Sequence, residues 1–281
     1  MRRLVYWISM HLRVLLKCYC FFIDRHKEAN PGIYFIMYHS IDEKINLELD
    51  IDLSMFINQI NWLTTIGEII SISDAETKLM NSEFFEKKYF VITFDDGYSN
   101  FFNSVYPFFK KNNIPALLYV NTQFIENESL TPINRKVGFT GKLSSMSWEQ
   151  LRILNDDPLM TIGGHCHEHV ELTSLSNPQI HQNLVTSIKL LKEKLSFTPS
   201  HFCYPRGIYE TRVINEVKRL FRSAVTTECP GEPVKAIRDN YQIPRIPALR
   251  SDKLFWFKCR VLGKLQSDLK VLKYISDRYV K

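Results

Sequence analysis

The stretch YFVITFDDGY, residues 89–98, decides the fold of this chain. Its first six residues are aromatic or β-branched, which is typical of a buried strand, and two carboxylates and a glycine follow directly. Neighbouring side chains of a strand point to opposite faces, so Asp95 and Asp96 converge on one site only if the strand ends there and turns. Gly97 permits such a turn. The stretch therefore predicts a buried strand that delivers two acids at its carboxyl end.

A second segment, GGHCHEH at residues 163–169, offers imidazoles. Carboxylate oxygen and imidazole nitrogen together suit zinc or a similar divalent ion, and a catalytic site keeps one position open for water. Asp96, His165 and His169 would fill three positions. Asp95 would then remain free to accept a proton from that water. Three metal ligands, a bound water and a free carboxylate are the groups that metal-assisted hydrolysis requires.

Each motif has an ordinary explanation when it stands alone. Asp-Asp-Gly is common at strand-to-turn junctions, and histidine clusters also occur on surfaces without a function. His167 lies between the two proposed ligands and could replace one of them or face solvent. The wider spacing of His165 and His169 favours that pair. The two motifs together, each after an apolar run, favour a metal site over either ordinary explanation.

Residues 93–97, TFDDG, resemble the first motif of the polysaccharide deacetylases of carbohydrate esterase family 4, also called the NodB-homology domain. Residues 165–169 resemble the second motif of that family, His-(Ser/Thr)-x-x-His, with Cys166 at the hydroxyl position. The resemblance implies that Asp95 is the general base. It also implies a divalent metal ion, Zn²⁺ before other transition metals, held by three side chains: Asp96, His165 and His169.

Further segments extend the likeness. FCYPRGIY at residues 202–209 is similar to the segment that forms one wall of the family's groove. MYHSI at residues 37–41, followed by FINQINWL at residues 56–63, looks like the opening of the circularly permuted branch that acts on poly-N-acetylglucosamine. SWEQL at residues 147–151 resembles the helix start before the second motif. The resemblance covers residues 32–250.

The third motif departs from the family pattern. Many members have an arginine there that orients the catalytic base, and Cys203 stands at that position here. Arg206 is close in sequence, whereas Arg245 or Arg250 would reach the site from the C-terminal side, and the sequence does not choose among them. Arg206, Arg245 and the backbone N–H of Tyr204 are the predicted contacts to substrate or oxyanion.

The family's C-terminal Leu-x-His motif, whose histidine protonates the leaving amine, is also missing, since no histidine follows His201. In the permuted branch an early histidine takes that part. The resemblance therefore makes His39 the candidate general acid. The alternative is a half-buried histidine at a strand end that satisfies a backbone carbonyl.

Apolar, β-rich runs alternate with helical patterns, and the 281 residues, 45% of them hydrophobic, suffice for one enzyme domain. The runs lie at residues 33–38, 89–94, 114–120, 201–204 and 223–227, and the helical patterns around residues 53–66, 99–112, 147–155, 178–195 and 209–220. This alternation predicts an α/β fold with a parallel sheet, and ligands at strand ends predict a barrel with its site on the C-terminal face. The resemblance narrows the fold to a distorted, incomplete (β/α) barrel of the NodB-homology type. Residues 121–145 are predicted to form a long loop, either bordering the acceptor groove or a surface excursion.

Both ends of the chain are basic and apolar. Residues 1–25 contain five Lys or Arg and one Asp, and residues 250–281 contain nine and three. Charges interrupt the N-terminal apolar segment, which is not typical of a transmembrane span. We expect basic amphipathic ends, residues 1–31 and 251–281, around a deacetylase domain at residues 32–250. The ends either lie in an anionic membrane surface or pack their apolar faces on the barrel. No nucleic-acid motif accompanies them, so nucleic acid is not an expected partner.

Six cysteines without Cys-x-x-Cys spacing are typical of reduced thiols and favour the cytoplasm, with a peripheral position on the inner membrane face if the ends bind lipid. The resemblance implies N-deacetylation of an N-acetylated glycan or a lipid-linked sugar intermediate in bacterial surface-polysaccharide biosynthesis. The residues alone indicate only hydrolysis of an amide or ester. A metal-dependent amidase or esterase of a non-glycan substrate and a catalytically silent glycan-binding relative are the alternatives.

Overall fold

The computed structural model describes residues 2–43, 45, 47–81, 84–130, 143–229, 232–234 and 240–279. The strands are short and mostly buried: β1 (Gly32–Tyr38), β2 (Ser40–Ile41), β3 (Asp50–Ile51), β4 (Gly67–Ile69), β5 (Lys88–Phe94), β6 (Ala116–Val120), β7 (Met160–Gly164), β8 (His201–Cys203), β9 (Ser223–Val225) and β10 (Arg245–Pro247). The helices lie between them and at both ends: α1 (Arg2–Asp24), α2 (Leu53–Ile66), α3 (Ile72–Asn81), α4 (Tyr106–Lys111), α5 (Thr122–Glu126), α6 (Trp148–Asn155), α7 (Asn177–Leu195), α8 (Thr211–Leu220), α9 (Lys253–Val261) and α10 (Ser267–Tyr279).

The main sheet is parallel and curls into a barrel. Its strand order is β10-β1-β5-β6-β7-β8-β9, and β4 pairs with the start of β5. β1 and β5 pair along their whole length. Between β9 and β10 the described residues form one isolated bridge, from Val225 to Ile243, so this seam stays largely unsealed. The fold is a nearly closed, distorted (β/α) barrel, and the predicted fold class is confirmed.

The strands are apolar on both faces because helices cover the barrel and side chains fill it. All seven residues of β1 are buried. An aromatic cluster joins the carboxyl ends of β1 and β5 to α2: the ring of Tyr38 stacks on Phe94 at 5.4 Å, and Phe56 packs edge-on against Tyr38 at 5.0 Å. This packing fixes the two strand ends from which His39 and Asp95 emerge.

The predicted strands and helical regions are present, with ends shifted by a few residues. The elements that were not predicted are the strands β2, β3, β4, β7 and β10 and the helices α3 and α5. β7 ends in two glycines, and a Cβ on Gly163 would lie 2.6 Å from the ring of Tyr119, so the close approach of β6 and β7 requires glycine there.

The prediction of an irregular loop is wrong at its start, because Asn121 accepts a hydrogen bond from the N–H of Phe124 and begins α5. Residues 131–142 of that predicted loop lie outside the described residues.

Helix α1 is fixed to the C-terminal helices by buried polar contacts. Lys17 Nζ lies 2.8 Å from the carboxylate of Asp252, and both side chains are buried. The carboxylate of Asp24 accepts the backbone N–H groups of Gln266 and Ser267 at the start of α10, each at 2.8 Å. This side of α1 therefore packs on the C-terminal segment that includes α9 and α10. Nowhere in the described chain does a helix combine the length and apolar character needed to cross a membrane.

Candidate active site

The turn after β5 brings both acids to the mouth of the barrel. Asp96 has φ 74° and Gly97 has φ 90°, a left-handed region that non-glycine residues seldom occupy. The N–H of Asp95 donates to the carbonyl of Tyr38 at 3.0 Å, and the N–H of Gly97 donates back to the carbonyl of Asp95 at 3.0 Å. The strand therefore ends just before Asp95. A carboxylate oxygen of each aspartate lies within 4.8 Å of a ring nitrogen of His165.

Asp96, His165 and His169 bring three donor atoms together. Oδ1 of Asp96 lies 3.3 Å from Nε2 of His165 and 3.5 Å from Nε2 of His169, and the two nitrogens are 3.1 Å apart. Donors bound at about 2.0–2.1 Å to one tetrahedral ion lie roughly 3.3 Å from each other. Oδ1 of Asp96 is buried and forms no well-aligned hydrogen bond with any described group. The donor set therefore fits a divalent ion such as zinc, which accepts nitrogen and oxygen together.

The charges of this cluster are strongly coupled. Burial alone would raise the pKa of Asp96, but the ring of His165, 3.3 Å from Oδ1, and the charges of the imidazoles hold that pKa well below its usual value. Burial lowers the pKa of His169 to about 4, so this ring is neutral at pH 7. Burial also lowers the pKa of His165, but the acidic groups Cys203, Asp96 and Asp95 outweigh burial and raise it well above the usual value.

Two buried asparagines hold the loop that carries the histidines. Nδ2 of Asn121 donates to the backbone carbonyls of His165 and His167 at 3.2 Å and 3.0 Å. Oδ1 of Asn183, on α7, accepts the N–H groups of His167 and Glu168 at 2.8 Å and 3.1 Å. These hydrogen bonds fix the backbone of the loop from which His165 and His169 project. Sequence analysis missed both asparagines, and the one signal available was a polar residue directly after the apolar run of β6.

His167 points away from the cluster. Its Nδ1 lies 3.0 Å from Oγ1 of Thr122 at the start of α5. Among the described residues, the groups whose atoms could share an ion include His165 and His169 but not His167. The geometry thus favours the preferred pair of histidines over the alternative that the sequence left open.

Arg245 reaches Asp95 from β10. Its Nη1 and Nη2 each donate to one carboxylate oxygen at 2.7 Å, and its Nε donates to the carbonyl of Thr226 at 2.9 Å. Burial raises the pKa of Asp95, but the charge and hydrogen bonds of the guanidinium outweigh burial and lower it below the usual value. Asp95 is therefore ionised at pH 7. Of the three candidate arginines, Arg245 is the one in contact with this carboxylate.

Cys203 lies beside this ion pair. Its Sγ is 3.5 Å from Oδ2 of Asp95 and 3.1 Å from Nη2 of Arg245. Asp95, His165 and Cys203 form a second group whose atoms could share an ion. Both oxygens of Asp95 already accept hydrogen bonds from the guanidinium, and a cation there would lie next to a positive charge. The cluster that contains Asp96 is therefore the better cation site.

His39 follows β1 and faces Asp95. Its Nε2 lies 3.7 Å from Oδ2 of Asp95, and its buried Nδ1 has no hydrogen-bonding partner among the described residues. The alternative role, a ring that satisfies a backbone carbonyl, is not observed within the described chain. Burial lowers the pKa of His39, and the nearby charges of Asp95 and Asp96 oppose that shift only in part.

The other predicted contacts lie further from the cluster. The backbone N–H of Tyr204 donates to the carbonyl of Val225 at 3.3 Å and so pairs β8 with β9. Arg206 has φ 57° and forms an ion pair with Glu171 at the partly exposed rim. Arg250 donates to a backbone carbonyl at 2.6 Å. Contacts of Tyr204 and Arg206 to substrate stay predictions.

Comparisons with known proteins point to one family. The sequence model of the family described as polysaccharide deacetylase matches residues 83–224. YxkH of Bacillus subtilis, which carries the name of a polysaccharide deacetylase, is 25% identical over 206 residues, 73% of this chain and 67% of YxkH. The poly-beta-1,6-N-acetyl-D-glucosamine N-deacetylase of Escherichia coli K12 is 21% identical over 283 aligned residues, 89% of this chain and 41% of that enzyme. The chain thus spans less than half of the Escherichia coli relative.

Solved structures share the fold at low sequence identity. The deacetylase PplD of Streptococcus pyogenes, determined in complex with acetate, has a TM-score of 0.66 at 22% identity and covers 83% of this chain and 99% of its own. IcaB from Ammonifex degensii has a TM-score of 0.69 at 18% identity and covers 84% of this chain and 98% of its own. The nearly closed barrel is therefore the architecture of these two proteins as well.

Proposed function

Because the chain belongs to the polysaccharide deacetylase family, we propose that it hydrolyses the N-acetyl group of an N-acetylated sugar or glycan with the help of a divalent metal ion. One observation carries this proposal: three side chains that can bind a metal ion lie close together, and an ionised carboxylate lies next to them. Asp96, His165 and His169 are the donors, and Asp95 is the separate carboxylate, held by Arg245. A protein that only binds glycan has no use for such a base.

When bound, a divalent ion supplies Lewis-acid polarisation of the acetyl carbonyl and makes water more acidic. Asp95 accepts the proton of the attacking water, because it is ionised and lies at the mouth of the barrel. Arg245 holds both carboxylate oxygens through paired hydrogen bonds and so keeps the base in one orientation. Arg245 is thus a positioning residue that acts through Asp95.

Breaking the C–N bond requires a proton on nitrogen, since an amide anion is a very poor leaving group. We assign this proton to Nε2 of His39, which lies 3.7 Å from the base. Burial lowers the pKa of His39 and makes its protonated form a stronger acid. The products are acetate and the free amine of the sugar.

Replacement of His39 by Ala is expected to slow acetate release from an N-acetylated glycan by about 10²- to 10³-fold, because the leaving nitrogen loses its acid. Metal content should not change. Hydrolysis of 4-nitrophenyl acetate should change little, because its phenolate leaves without a proton. A variant of an exposed histidine, His181→Ala, serves as the control. Wild-type rates on the glycan, or equal losses on both substrates, would remove His39 from the role of acid.

Replacement of Arg245 by Lys keeps a positive charge but loses the paired hydrogen bonds to Asp95. The pKa of Asp95 should rise, and since the base works only when ionised, the acidic limb of the kcat/KM profile should move to higher pH. We expect kcat to fall by about 10- to 100-fold. Arg222→Lys, at an exposed ion pair with Glu76, is the matched control. An unchanged acidic limb would contradict the positioning role.

The finer identity of substrate and ion is also a proposal. The name of the Escherichia coli relative supports poly-N-acetylglucosamine-like substrates, and the nitrogen and oxygen donors support Zn²⁺. We propose a role in bacterial surface-polysaccharide assembly, with a glycan intermediate on a lipid carrier as the substrate. The exposed face of α1, described below, supports a substrate of that kind. A cytoplasmic location stays a prediction.

The experiment that tests the proposal is to purify the protein, measure its metal content and follow acetate release. The panel contains N-acetylglucosamine oligomers with β-1,4 and β-1,6 linkages, small N-acetyl amides and acetyl esters. Acetate from the glycans, lost on chelation and restored by Zn²⁺, is the expected result. Acetate from the non-glycan compounds alone would favour the amidase or esterase alternative. Glycan binding without acetate release from any compound would favour the silent relative.

A further inference from the structure

Helix α1 carries apolar side chains on two sides, and one of them packs on the protein. Cys20, 1% exposed, lies in a small core with Cys259 of α9 and Leu265, just before α10. Lys17 and Asp24 belong to the same side and form the buried contacts to the C-terminal helices. This side fixes α1 to the barrel.

The opposite side of α1 is apolar and open to solvent. Its members lie three or four residues apart, except that Ile23 directly follows Phe22, and they are between 52% and 66% exposed: Leu12, Leu15, Tyr19, Phe22 and Ile23. We call these five residues the outer face. Phe255 of α9 is also exposed, and its ring lies 6.4 Å from that of Phe21. Scattered exposed hydrophobic residues are normal, but a continuous stripe along one helix marks an interaction surface.

A positive side chain lies at the C-terminal end of the outer face. Arg25 is exposed, and its guanidinium lies 5.5 Å from the centre of the Phe22 ring. Lys253, at the start of α9, is also exposed. The acid within α1 is Asp24, which is fully buried and accepts hydrogen bonds from the start of α10. No negative charge of α1 therefore reaches solvent.

From this combination of shape and charge we propose that the outer face of α1 docks on an anionic phospholipid bilayer, with the helix parallel to the surface. Its apolar side chains enter the boundary between headgroups and acyl chains, and the flanking cations meet lipid phosphates. Tyr19 suits this depth because its ring is apolar and its hydroxyl is polar. A second copy of the chain is a poorer occupant, since a symmetric contact would bring the same positive charges of both copies together.

Docking of this kind would bring the catalytic domain to the membrane as one body. The packed side of α1 is joined to α9 and α10 through Lys17 and Asp24, so the helix cannot bind lipid separately from the barrel. Vesicle binding is measured without substrate and so does not depend on turnover.

The test is co-flotation of the full chain with vesicles. Strong binding is expected to vesicles of phosphatidylcholine mixed with phosphatidylglycerol, weaker binding to phosphatidylcholine alone, and weaker binding at high salt. The double variant Leu15→Ser with Phe22→Ser should bind the anionic vesicles at least about tenfold more weakly, because it removes two apolar side chains from the outer face. Arg25→Glu should weaken binding to anionic vesicles only.

The double variant Met80→Ser with Phe84→Ser is the matched control, since both side chains are exposed hydrophobics outside α1, at 62% and 79%. It should bind like the wild type. Absence of flotation, or equal flotation of wild type and the outer-face variant, would overturn the proposal. Self-association in light scattering that the outer-face variant abolishes, without any vesicle binding, would instead make the face a contact between copies.

Discussion

The Asp95→Asn enzyme should release acetate about 10³-fold more slowly than the wild type while it still binds metal. The amide has nearly the shape of the carboxylate but cannot accept the proton of the attacking water. The three donor atoms of Asp96, His165 and His169 are left in place. The measurement is the rate of acetate release per metal-containing molecule, with metal determined by elemental analysis.

Asp95 also compensates the buried charge of Arg245, so its loss has a structural cost. Removal of one partner of a buried ion pair destabilises a protein by about 3–5 kcal/mol, and the melting temperature must be measured beside the rate. Asp157→Asn is the control, because Asp157 is a buried carboxylate that bonds to Tyr106 away from the site. If Asp95→Asn loses metal and activity to the same extent, Asp95 is a ligand or a structural residue and the base is elsewhere.

The part of the site that the sequence predicts best is the part that is built locally. A strand that ends in Asp-Asp-Gly contains both the acids and the residue that lets the chain turn, and the observed φ of Asp96 and Gly97 accounts for their convergence. The spacing of His165 and His169 is likewise local. Short-range geometry accounts for each pair separately, whereas the two pairs meet because β6 joins β5 to β7.

The choice of arginine could not be made from the sequence. Arg245 lies 150 residues from Asp95 in the chain and reaches it only because β10 pairs with β1, on the side opposite β5. β10 is three residues long and carries no periodic pattern that would predict it. The resemblance implies an arginine where Cys203 stands, and the small thiol leaves room for the guanidinium of Arg245 to pass beside it.

The apolar periodicity of α1 is compatible with two interpretations, membrane contact and packing on protein. The sequence left membrane contact and packing on the barrel as alternatives, as though α1 had one apolar face. The structure gives it a packed side around Cys20 and a second, open side from Leu12 to Ile23. Hydrophobic periodicity reports where apolar residues lie on a helix, but which of them meet protein depends on distant partners, here Cys259 and Leu265.

His165→Ala and His169→Ala should each lose metal, whereas His167→Ala should keep most of it. Either of the first two changes removes one of three donors that lie 3.1–3.5 Å apart. The loss of affinity should exceed the 10- to 100-fold that loss of an outer partner of a ligand costs. A much smaller loss is expected for His167→Ala, because the ring of His167 contacts Thr122 and none of the three donors. The metal-to-protein ratio after gel filtration, followed by competition with a chelator, measures the difference.

The comparison is internally matched, since all three variants remove an imidazole from the same five-residue loop. Nδ1 of His167 contacts Thr122 instead of the cluster, so His167→Ala reports any general damage to that loop. Because burial lowers the pKa of His169 to about 4, this ring is neutral at pH 7 and needs no deprotonation to bind a cation. Metal loss in His167→Ala with retention in His169→Ala would reassign the ligand set and, with it, the position of the bound ion relative to Asp95.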